Sequence, residues 1–266
     1  MSLVALLRAA HLGPTVAVTT VTALLAVAAD LAAPDVAQVT LAVLAGQLVI
    51  GWSNDLIDAD RDAQVARPDK PLATGAVTLG AVRTALGLAA AAAVVLSAVL
   101  GWRAGLLHLG AVVGAGLAYN LGVKATVWSW LPYAVAFGSL PAVVSLAGTP
   151  PQAPPVWLPV AGATLGVAAH FLNTLPDLGD DAATGVRGLP HRLGARVSQL
   201  LATLLLLVAS VAAVLGPDGS PPLWAWAVLA LTVGLAATAL LGRGKVPFRA
   251  ALAIAVVDVT LLAVMG

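Results

Sequence analysis

The sequence predicts an all-α membrane protein with nine transmembrane helices. Of its 266 residues, 60% are hydrophobic and 9% are charged, whereas soluble domains carry about 25% charged residues. Apolar runs near the ~20 residues that span a bilayer recur along the whole chain. The chain has no cysteine, which excludes disulfides, thiolate catalysis and Cys-bound metals. The net charge of +1 gives no reason to expect a nucleic-acid partner.

Turn-forming residues separate the apolar runs, as at Ala33-Pro34-Asp35 and Gly216-Pro217-Asp218-Gly219. No break is long enough to hold a soluble domain, so residues 1–266 are expected to form a single membrane domain. The predicted spans are about residues 14–33, 36–54, 79–100, 104–121, 128–147, 156–175, 195–216, 222–242 and 247–265.

The basic residues predict the orientation in the membrane. If nine helices alternate in direction, Arg103 falls on one side and every other Lys and Arg falls on the opposite side. Cytoplasmic loops are enriched in Lys and Arg. We therefore expect a multi-pass protein of the cell membrane whose N-terminus and two acidic clusters face the cytoplasm.

All twelve acidic residues are Asp, and most of them lie in or beside two clusters. The first cluster is Asn54–Asp62, and the second is Asn173–Asp181; each follows an apolar run. Carboxylates in or next to a membrane helix are costly and indicate function by default. The acids concerned are Asp55, Asp58, Asp60, Asp62, Asp69, Asp177, Asp180 and Asp181.

The two clusters predict an internal duplication. Each ends the second helix of a four-helix set, which gives pseudo-repeats over about 14–121 and 128–242 and a ninth helix over about 247–265. Chance resemblance between two Asp-rich loops is the alternative. The same residue types recur at a constant offset of 119: Asn54, Asp58 and Asp62 against Asn173, Asp177 and Asp181.

The spacing of the clusters is typical of a Mg²⁺ site. Residues four apart share one face of a helix, and Mg²⁺ is commonly held by one or two carboxylates plus substrate phosphates. Facing clusters would grip a diphosphate through Mg²⁺, with Mn²⁺ as a possible substitute. The alternative is a pair of acidic loops or helix caps. The predicted metal ligands are Asp55, Asp58, Asp62, Asp177 and Asp181.

Basic and amide side chains accompany the clusters and are candidates for binding diphosphate oxygens. The positive-inside bias is an alternative explanation for the basic ones, and we prefer it for Arg192, Arg196, Arg243, Lys245 and Arg249. The predicted substrate-binding residues are Asn54, Arg67, Lys70, Asn120, Asn173 and Arg187, and Lys124 follows the fourth predicted helix.

Taken together, these motifs resemble the UbiA-type intramembrane prenyltransferases, over about residues 8–265. The resemblance implies a bundle of nine transmembrane helices around a central cavity, with a Mg²⁺-bound prenyl diphosphate at its cytoplasmic mouth and a lateral opening to lipid. One departure is Thr174, where many family members carry an acid. The matching motifs are Asn54-Asp55-x-x-Asp58-x-x-x-Asp62, Arg67-Pro68-x-Lys70-Pro71-Leu72-Ala73-x-Gly75, Tyr119 to Lys124, and Asp177-x-x-x-Asp181-x-x-x-Gly185.

The predicted activity is transfer of a prenyl group from a prenyl diphosphate to a lipophilic acceptor through an allylic carbocation. We expect the acceptor to be aromatic. The predicted catalytic residues are Asp58, Asp177, Lys124 and Tyr119. A terpene cyclase using the same ionisation is one alternative, and a cation or substrate transporter with paired Asp sites is another. The sequence leaves the acceptor, the prenyl chain length and the oligomeric state open.

Three further positions have two interpretations each. His170 either lines the acceptor cavity or is a hydrogen-bonded helix histidine. Asp258, near the middle of the ninth predicted helix, is either a buried hydrogen-bonding partner or part of the site. Trp52 either reaches the cavity or anchors the helix at the membrane interface.

Overall fold

The computed structural model describes residues 3–64, 70–183, 185–242 and 246–265. Within these ranges the chain forms helices, turns and coil without a strand, which confirms the all-α prediction. The α-helices are α1 (Leu3–Arg8), α2 (Leu12–Ala28), α3 (Ala33–Gln64), α4 (Leu79–Val99), α5 (Trp102–Leu107), α6 (Gly114–Asn120), α7 (Leu131–Ala147), α8 (Trp157–Thr174), α9 (Leu178–Ala183), α10 (Leu189–Leu215), α11 (Leu223–Leu241) and α12 (Val246–Met265).

In the described ranges, six helices are long and apolar enough to cross a membrane: α3, α4, α8 with the turn that follows it, α10, α11 and α12. The apolar helices α2 and α7 are shorter, at 17 residues each. Helices α5 and α6 are joined by a π-helical segment, His108–Val113, so the backbone stays helical from Trp102 to Asn120.

The first Asp cluster lies inside a helix and not in a loop. Helix α3 continues to Gln64, about ten residues past the end of the second predicted span. Asp55, Asp58 and Asp62 therefore share one face of α3, and all three are buried at 2–6% exposure. Because α3 is long, this face lies beyond the apolar half of the helix, at the candidate site described below.

The second Asp cluster has a different backbone from the first. Helix α8 ends at Thr174, a 3₁₀ turn covers Leu175–Asp177, and α9 begins at Leu178. Pro176 lies in the middle of this turn, and a proline inside a helix removes a hydrogen bond and clashes with the preceding turn. Two clusters with matched sequence spacing are therefore presented by two different local geometries.

Helices α7 and α8 pack closely, and glycines on α8 permit this. A Cβ added at Gly162 would lie 2.6 Å from the carbonyl oxygen of Phe137. Small residues at helix interfaces allow backbones in lipid to approach one another. This packing fixes the relative positions of Tyr133 on α7 and Asn173 on α8, which both reach the site described below.

We expect Gly162→Ala to destabilise the protein by about 1–3 kcal/mol, because the added methyl group forces α7 and α8 apart. The matched control is Gly87→Ala on α4, where an added Cβ meets nothing within 4 Å. Thermal unfolding of both variants in detergent measures the difference. Equal unfolding temperatures for the two variants would contradict this account of the α7–α8 interface.

Candidate active site

A polar cavity of about 320 Å³ lies where the two Asp clusters meet. It brings together residues that are more than 100 positions apart in the sequence. The predicted residues that line it are Asn54, Asp58, Asp62, Lys70, Tyr119, Asn120, Lys124, Asn173, Asp177 and Asp181. We call this space the mouth cavity.

Asp58 is the most heavily bonded carboxylate on the α3 side of the mouth cavity. The ammonium group of Lys124, in the turn Val123–Ala125, donates to both Asp58 oxygens at 2.6 Å. The Arg61 guanidinium, one helical turn farther along α3, lies 2.8 Å from Asp58 Oδ2. One buried carboxylate thus holds two cations, and it connects α3 with the turn that follows α6.

Lys70 joins the first cluster from a different segment. Its ammonium group donates to Asp55 Oδ1 at 2.8 Å and lies 3.8 Å from Asp62 Oδ2. His11 Nε2, just before α2, lies 3.1 Å from Asp55 Oδ1 and 3.0 Å from the Lys70 ammonium nitrogen. Lys70 therefore bridges two of the predicted metal ligands, with His11 beside it.

The amides of the site fix α3 against α6. Asn54 donates its side-chain N–H to the Asn120 side-chain oxygen at 3.1 Å. Asn120 in turn donates to the Ile50 carbonyl at 2.9 Å and to the Ser53 hydroxyl at 2.8 Å. Because these bonds consume much of the capacity of Asn120, its main contribution here is to hold the two helices in register.

Asp177 and Asp181 of the second cluster line the same cavity. Asp181 Oδ2 is 3.6 Å from His191 Nε2. Burial raises the pKa of Asp181, and the interaction with His191 when that imidazole is protonated opposes the rise. Asn173 hydrogen-bonds with the Tyr133 side chain, which links the second cluster to α7.

Lys124 occupies the boundary between the clusters. Burial lowers the pKa of its ammonium group, and the hydrogen bonds to Asp58 act in the opposite direction. A lysine that loses part of its hydration but keeps a carboxylate partner is well placed to interact with an additional anion. Lys124 therefore has both the position and the charge to meet a diphosphate.

The residues present fit a divalent cation. Within the described ranges, Asp55 Oδ2 is buried without a hydrogen-bond partner, so it is available to a further ligand, although Asp55 does not line the mouth cavity itself. Among the described residues, no three acidic, His or Cys side chains are close enough together to hold a metal by themselves. Mg²⁺ does not require such a set, because it is usually held by one or two carboxylates together with waters and substrate phosphates.

An apolar chamber of about 580 Å³ opens from the mouth cavity. Seven of the described residues line both spaces: Pro14, Gln47, Ile50, Tyr119, Tyr133, Asn173 and Asp177. A polar end and an apolar end therefore meet at these side chains. The rest of the described chamber wall comes from α2, the segment Trp102–Asn120, α7, α8, the turn after α8 and α12, with Val18, Val21, Phe137, Leu140, Leu165, Phe248 and Leu252 among its residues.

Aromatic rings line the passage between the two spaces. The rings of Tyr119 and Tyr133 meet edge to face at 5.3 Å, and Phe137 stacks on Tyr133 at 6.2 Å. His170 packs behind both tyrosines, at 5.8 Å and 5.0 Å. The passage is thus a ring-lined neck whose electron-rich faces favour positive charge.

Arg187, Trp52 and Asp258 do not line the mouth cavity. Arg187 is exposed outside the mouth cavity, and its carbonyl accepts a hydrogen bond from Arg192. Trp52 is buried and donates to the Leu6 carbonyl at 2.9 Å. Asp258 hydrogen-bonds Ser210 across α12 and α10, which matches its packing interpretation. Arg67 lies outside the described residues.

His170 is a hydrogen-bonded helix histidine, the second of its two interpretations. Its Nε2 lies 3.0 Å from the Ser129 hydroxyl, and that hydroxyl accepts a hydrogen bond from the Leu189 backbone N–H at 2.9 Å. It is a buried helix histidine that supports the tyrosines from behind and ties α8 to the start of α10.

Three titratable residues in the described lining of the mouth cavity were not predicted. Arg61 and His11 line the mouth cavity, but the positive-inside bias accounted for Arg61 and no motif marked His11. Tyr133 lies in the middle of an apolar run. It is one of only two tyrosines in the chain, and that scarcity was the one feature of the sequence that singled it out.

Comparison with known proteins identifies the family. The family model described as "UbiA prenyltransferase family" matches residues 15–261. The digeranylgeranylglyceryl phosphate synthase of Methanopyrus kandleri is 32% identical over 209 residues, which cover 74% of this chain and 73% of that protein. The bacteriochlorophyll synthase 33 kDa chain of Cereibacter sphaeroides is 33% identical over 183 residues, or 64% of this chain and 59% of that protein.

Solved structures share the fold. A UbiA homologue from Aeropyrum pernix K1 superposes with a TM-score of 0.72 at 19% identity, covering 94% of this chain and 96% of that one. A UbiA homologue from Archaeoglobus fulgidus, bound to GPP and Mg²⁺, superposes with a TM-score of 0.71 at 14% identity, covering 98% and 99%. The chain is a multi-pass membrane prenyltransferase and belongs to the UbiA prenyltransferase family.

Proposed function

We propose that the mouth cavity binds a prenyl diphosphate through Mg²⁺ and that the apolar chamber receives the prenyl chain and a lipophilic acceptor. The observation that carries this proposal is the direct junction of a polar cavity bearing both Asp clusters with an apolar chamber. An amphipathic substrate with an anionic head and an isoprenoid tail matches both ends. The Archaeoglobus fulgidus homologue bound to GPP and Mg²⁺ supports the same pairing.

In this proposal Asp55, Asp58 and Asp62 hold divalent metal from α3, and Asp177 and Asp181 hold it from the second cluster. Bound Mg²⁺, or Mn²⁺, supplies positive charge that stabilises the departing diphosphate. Asn54, Asn120 and Asn173 fix the geometry of the wall. Lys70 and Lys124 lie beside the carboxylates and contact phosphate oxygens, and we assign the same role to Arg67.

The reaction begins when the allylic C–O bond breaks and its electron pair leaves with the diphosphate. Lys124 faces the leaving group and offsets the negative charge that develops on it. The allylic carbocation that remains lies at the neck, where the faces of Tyr119 and Tyr133 stabilise positive charge. An electron pair of the acceptor then forms the new bond to the prenyl carbon, and the acceptor loses its proton to the aqueous mouth.

The apolar chamber protects the carbocation from water until the acceptor attacks. Its lining is almost entirely aliphatic and aromatic away from the neck, so few groups there retain ordered water. The two curated relatives are named for different products, which leaves the acceptor a matter for experiment. We propose that the acceptor is lipophilic, and aromatic compounds are the first to be tested.

We further propose that one membrane domain of nine crossings surrounds the site, as two four-helix pseudo-repeats and a final helix. The helices α2 and α7 and the continuous segment Trp102–Asn120 supply the crossings beyond the six long apolar helices. The one-sided distribution of Lys and Arg places the mouth cavity and the N-terminus on the cytoplasmic face of the cell membrane.

Purified protein supplied with prenyl diphosphate and Mg²⁺ is expected to release diphosphate slowly and to form a linear alcohol. Addition of a lipophilic acceptor is expected to raise the rate of diphosphate release at least about ten-fold, because the acceptor reacts with the carbocation and completes the turnover. The measurement compares prenyl diphosphates of several chain lengths with a panel of acceptors. A coupled assay follows diphosphate release, and mass spectrometry identifies the products.

The same experiment separates transferase from cyclase. A cyclase needs a contour that folds the prenyl chain on itself, and apart from Tyr119, Tyr133, Phe137 and Phe248 the described chamber wall is mainly aliphatic. Rapid formation of a cyclic hydrocarbon from prenyl diphosphate alone would overturn the transferase assignment. Equal diphosphate release with and without every acceptor tested would do so as well.

A further inference from the structure

Arg61 is a cation of the mouth cavity to which the sequence motifs assign no role. Its side chain lines the cavity and is 24% exposed, whereas the Asp58 side chain that it contacts is 6% exposed. The guanidinium therefore reaches from a buried carboxylate into accessible space. That position differs from the positions of basic residues that merely mark the cytoplasmic side of a membrane.

The ion pair with Asp58 does not account for Arg61. Lys124 already donates to both oxygens of Asp58 at 2.6 Å, so the buried carboxylate has a strong partner without Arg61. A guanidinium carries five N–H donors in a rigid fork, and one shared carboxylate oxygen uses only part of that capacity. The remainder is suited to a multivalent oxyanion, because arginine matches phosphate geometry better than lysine does.

The charge of Arg61 acts on both Asp clusters. It interacts electrostatically with Asp62 of the first cluster and with Asp181 of the second, and it also repels Lys124. Arg61 therefore lies within electrostatic range of both clusters and lines the same cavity as they do. A diphosphate held between the clusters would occupy the same region.

We propose that Arg61 is a direct diphosphate-binding residue of this prenyltransferase, which contacts phosphate oxygens of the substrate through its guanidinium. This inference rests on the proposed function, since it names a further contact to the same diphosphate. Arg61 lies within the first acidic motif, so it places a permanent cation on the helical face that carries the metal-binding carboxylates. Arg61 therefore reduces the negative charge of the carboxylates and the diphosphate that divalent metal must neutralise.

Binding measurements test the contact. Titration of inorganic diphosphate with Mg²⁺ into detergent-purified protein is expected to show at least about ten-fold weaker binding for Arg61→Gln, as for loss of a hydrogen bond to a charged group. Arg61→Lys is expected to recover part of the affinity because it keeps the charge and loses the fork. The matched control, Arg83→Gln, replaces an exposed arginine of α4 and should bind as the wild type does.

Proximity is tested independently, because the chain contains no cysteine. The thiol introduced by Arg61→Cys is then the only one present, and its reaction with a maleimide reports access to this position. Saturating diphosphate and Mg²⁺ are expected to slow that reaction at least about five-fold. The thiol of Arg83→Cys is expected to react at the same rate with and without diphosphate.

The outcomes separate this inference from the function on which it rests. Wild-type protein that binds diphosphate, with unchanged affinity in Arg61→Gln, would overturn the role of Arg61 and leave the prenyltransferase site in place. Labelling of Arg61→Cys at the same rate with saturating diphosphate would do the same. Failure of the wild-type protein to bind any diphosphate would overturn the proposed function and this inference together.

Discussion

Replacing Asp58 by asparagine is expected to lower diphosphate release by about a hundred- to a thousand-fold, while the protein still folds. Asp58 is buried and is the common partner of Lys124 and Arg61. The amide keeps the shape of the carboxylate but removes the charge that orients both cations and that we propose binds metal. Loss of a preorganised, buried electrostatic group has effects of this size. Steady-state turnover with excess acceptor measures it.

Asp60→Asn is the matched control for this prediction. Asp60 lies on the same helix, two residues away, and its side chain is exposed. Its replacement removes the same charge from the same segment without touching the site, so turnover should remain near the wild-type value. More than about a tenth of wild-type turnover in Asp58→Asn would show that the first cluster is not central, because that loss corresponds to only about 1.4 kcal/mol.

Much of this architecture could be predicted because lipid imposes strong constraints on sequence. The apolar runs gave the positions of the long helices to within a few residues at many of their ends. The acidic clusters identified the site, since carboxylates on membrane helices are energetically costly and therefore indicate function. Neither constraint specifies where a helix ends once it leaves the apolar region, and the extension of α3 to Gln64 was missed for that reason.

The pairing of charges could not be predicted, because it depends on contacts between distant segments. The sequence offered several cations for each carboxylate, and the positive-inside bias explained Arg61 as well as it explained Arg83. Only the fold shows that Lys124 meets Asp58 across 66 positions and that Lys70 meets Asp55. The constant spacing of the clusters suggested equal geometry, but Pro176 interrupts the helix in the second cluster.

The other large effect is expected on removal of divalent cations. In the described lining of the mouth cavity, four carboxylates face three Lys or Arg side chains. A diphosphate adds roughly three further negative charges at neutral pH, as expected from phosphate groups with a second pKa near 6. Without metal, this arrangement repels the substrate, and the repulsion is strong because the carboxylates are poorly hydrated.

Treatment with excess chelator is therefore expected to reduce turnover to the background rate, and Mg²⁺ or Mn²⁺ should restore it. Ca²⁺ should restore less, because it is larger and prefers more ligands at longer distances. A second readout is independent of turnover: binding of inorganic diphosphate should be lost in chelator and recovered with Mg²⁺, in wild-type protein and in Asp60→Asn alike. Undiminished turnover in excess chelator would refute the metal-bridged site, since the three cations of the mouth cavity would then suffice to bind and ionise the substrate.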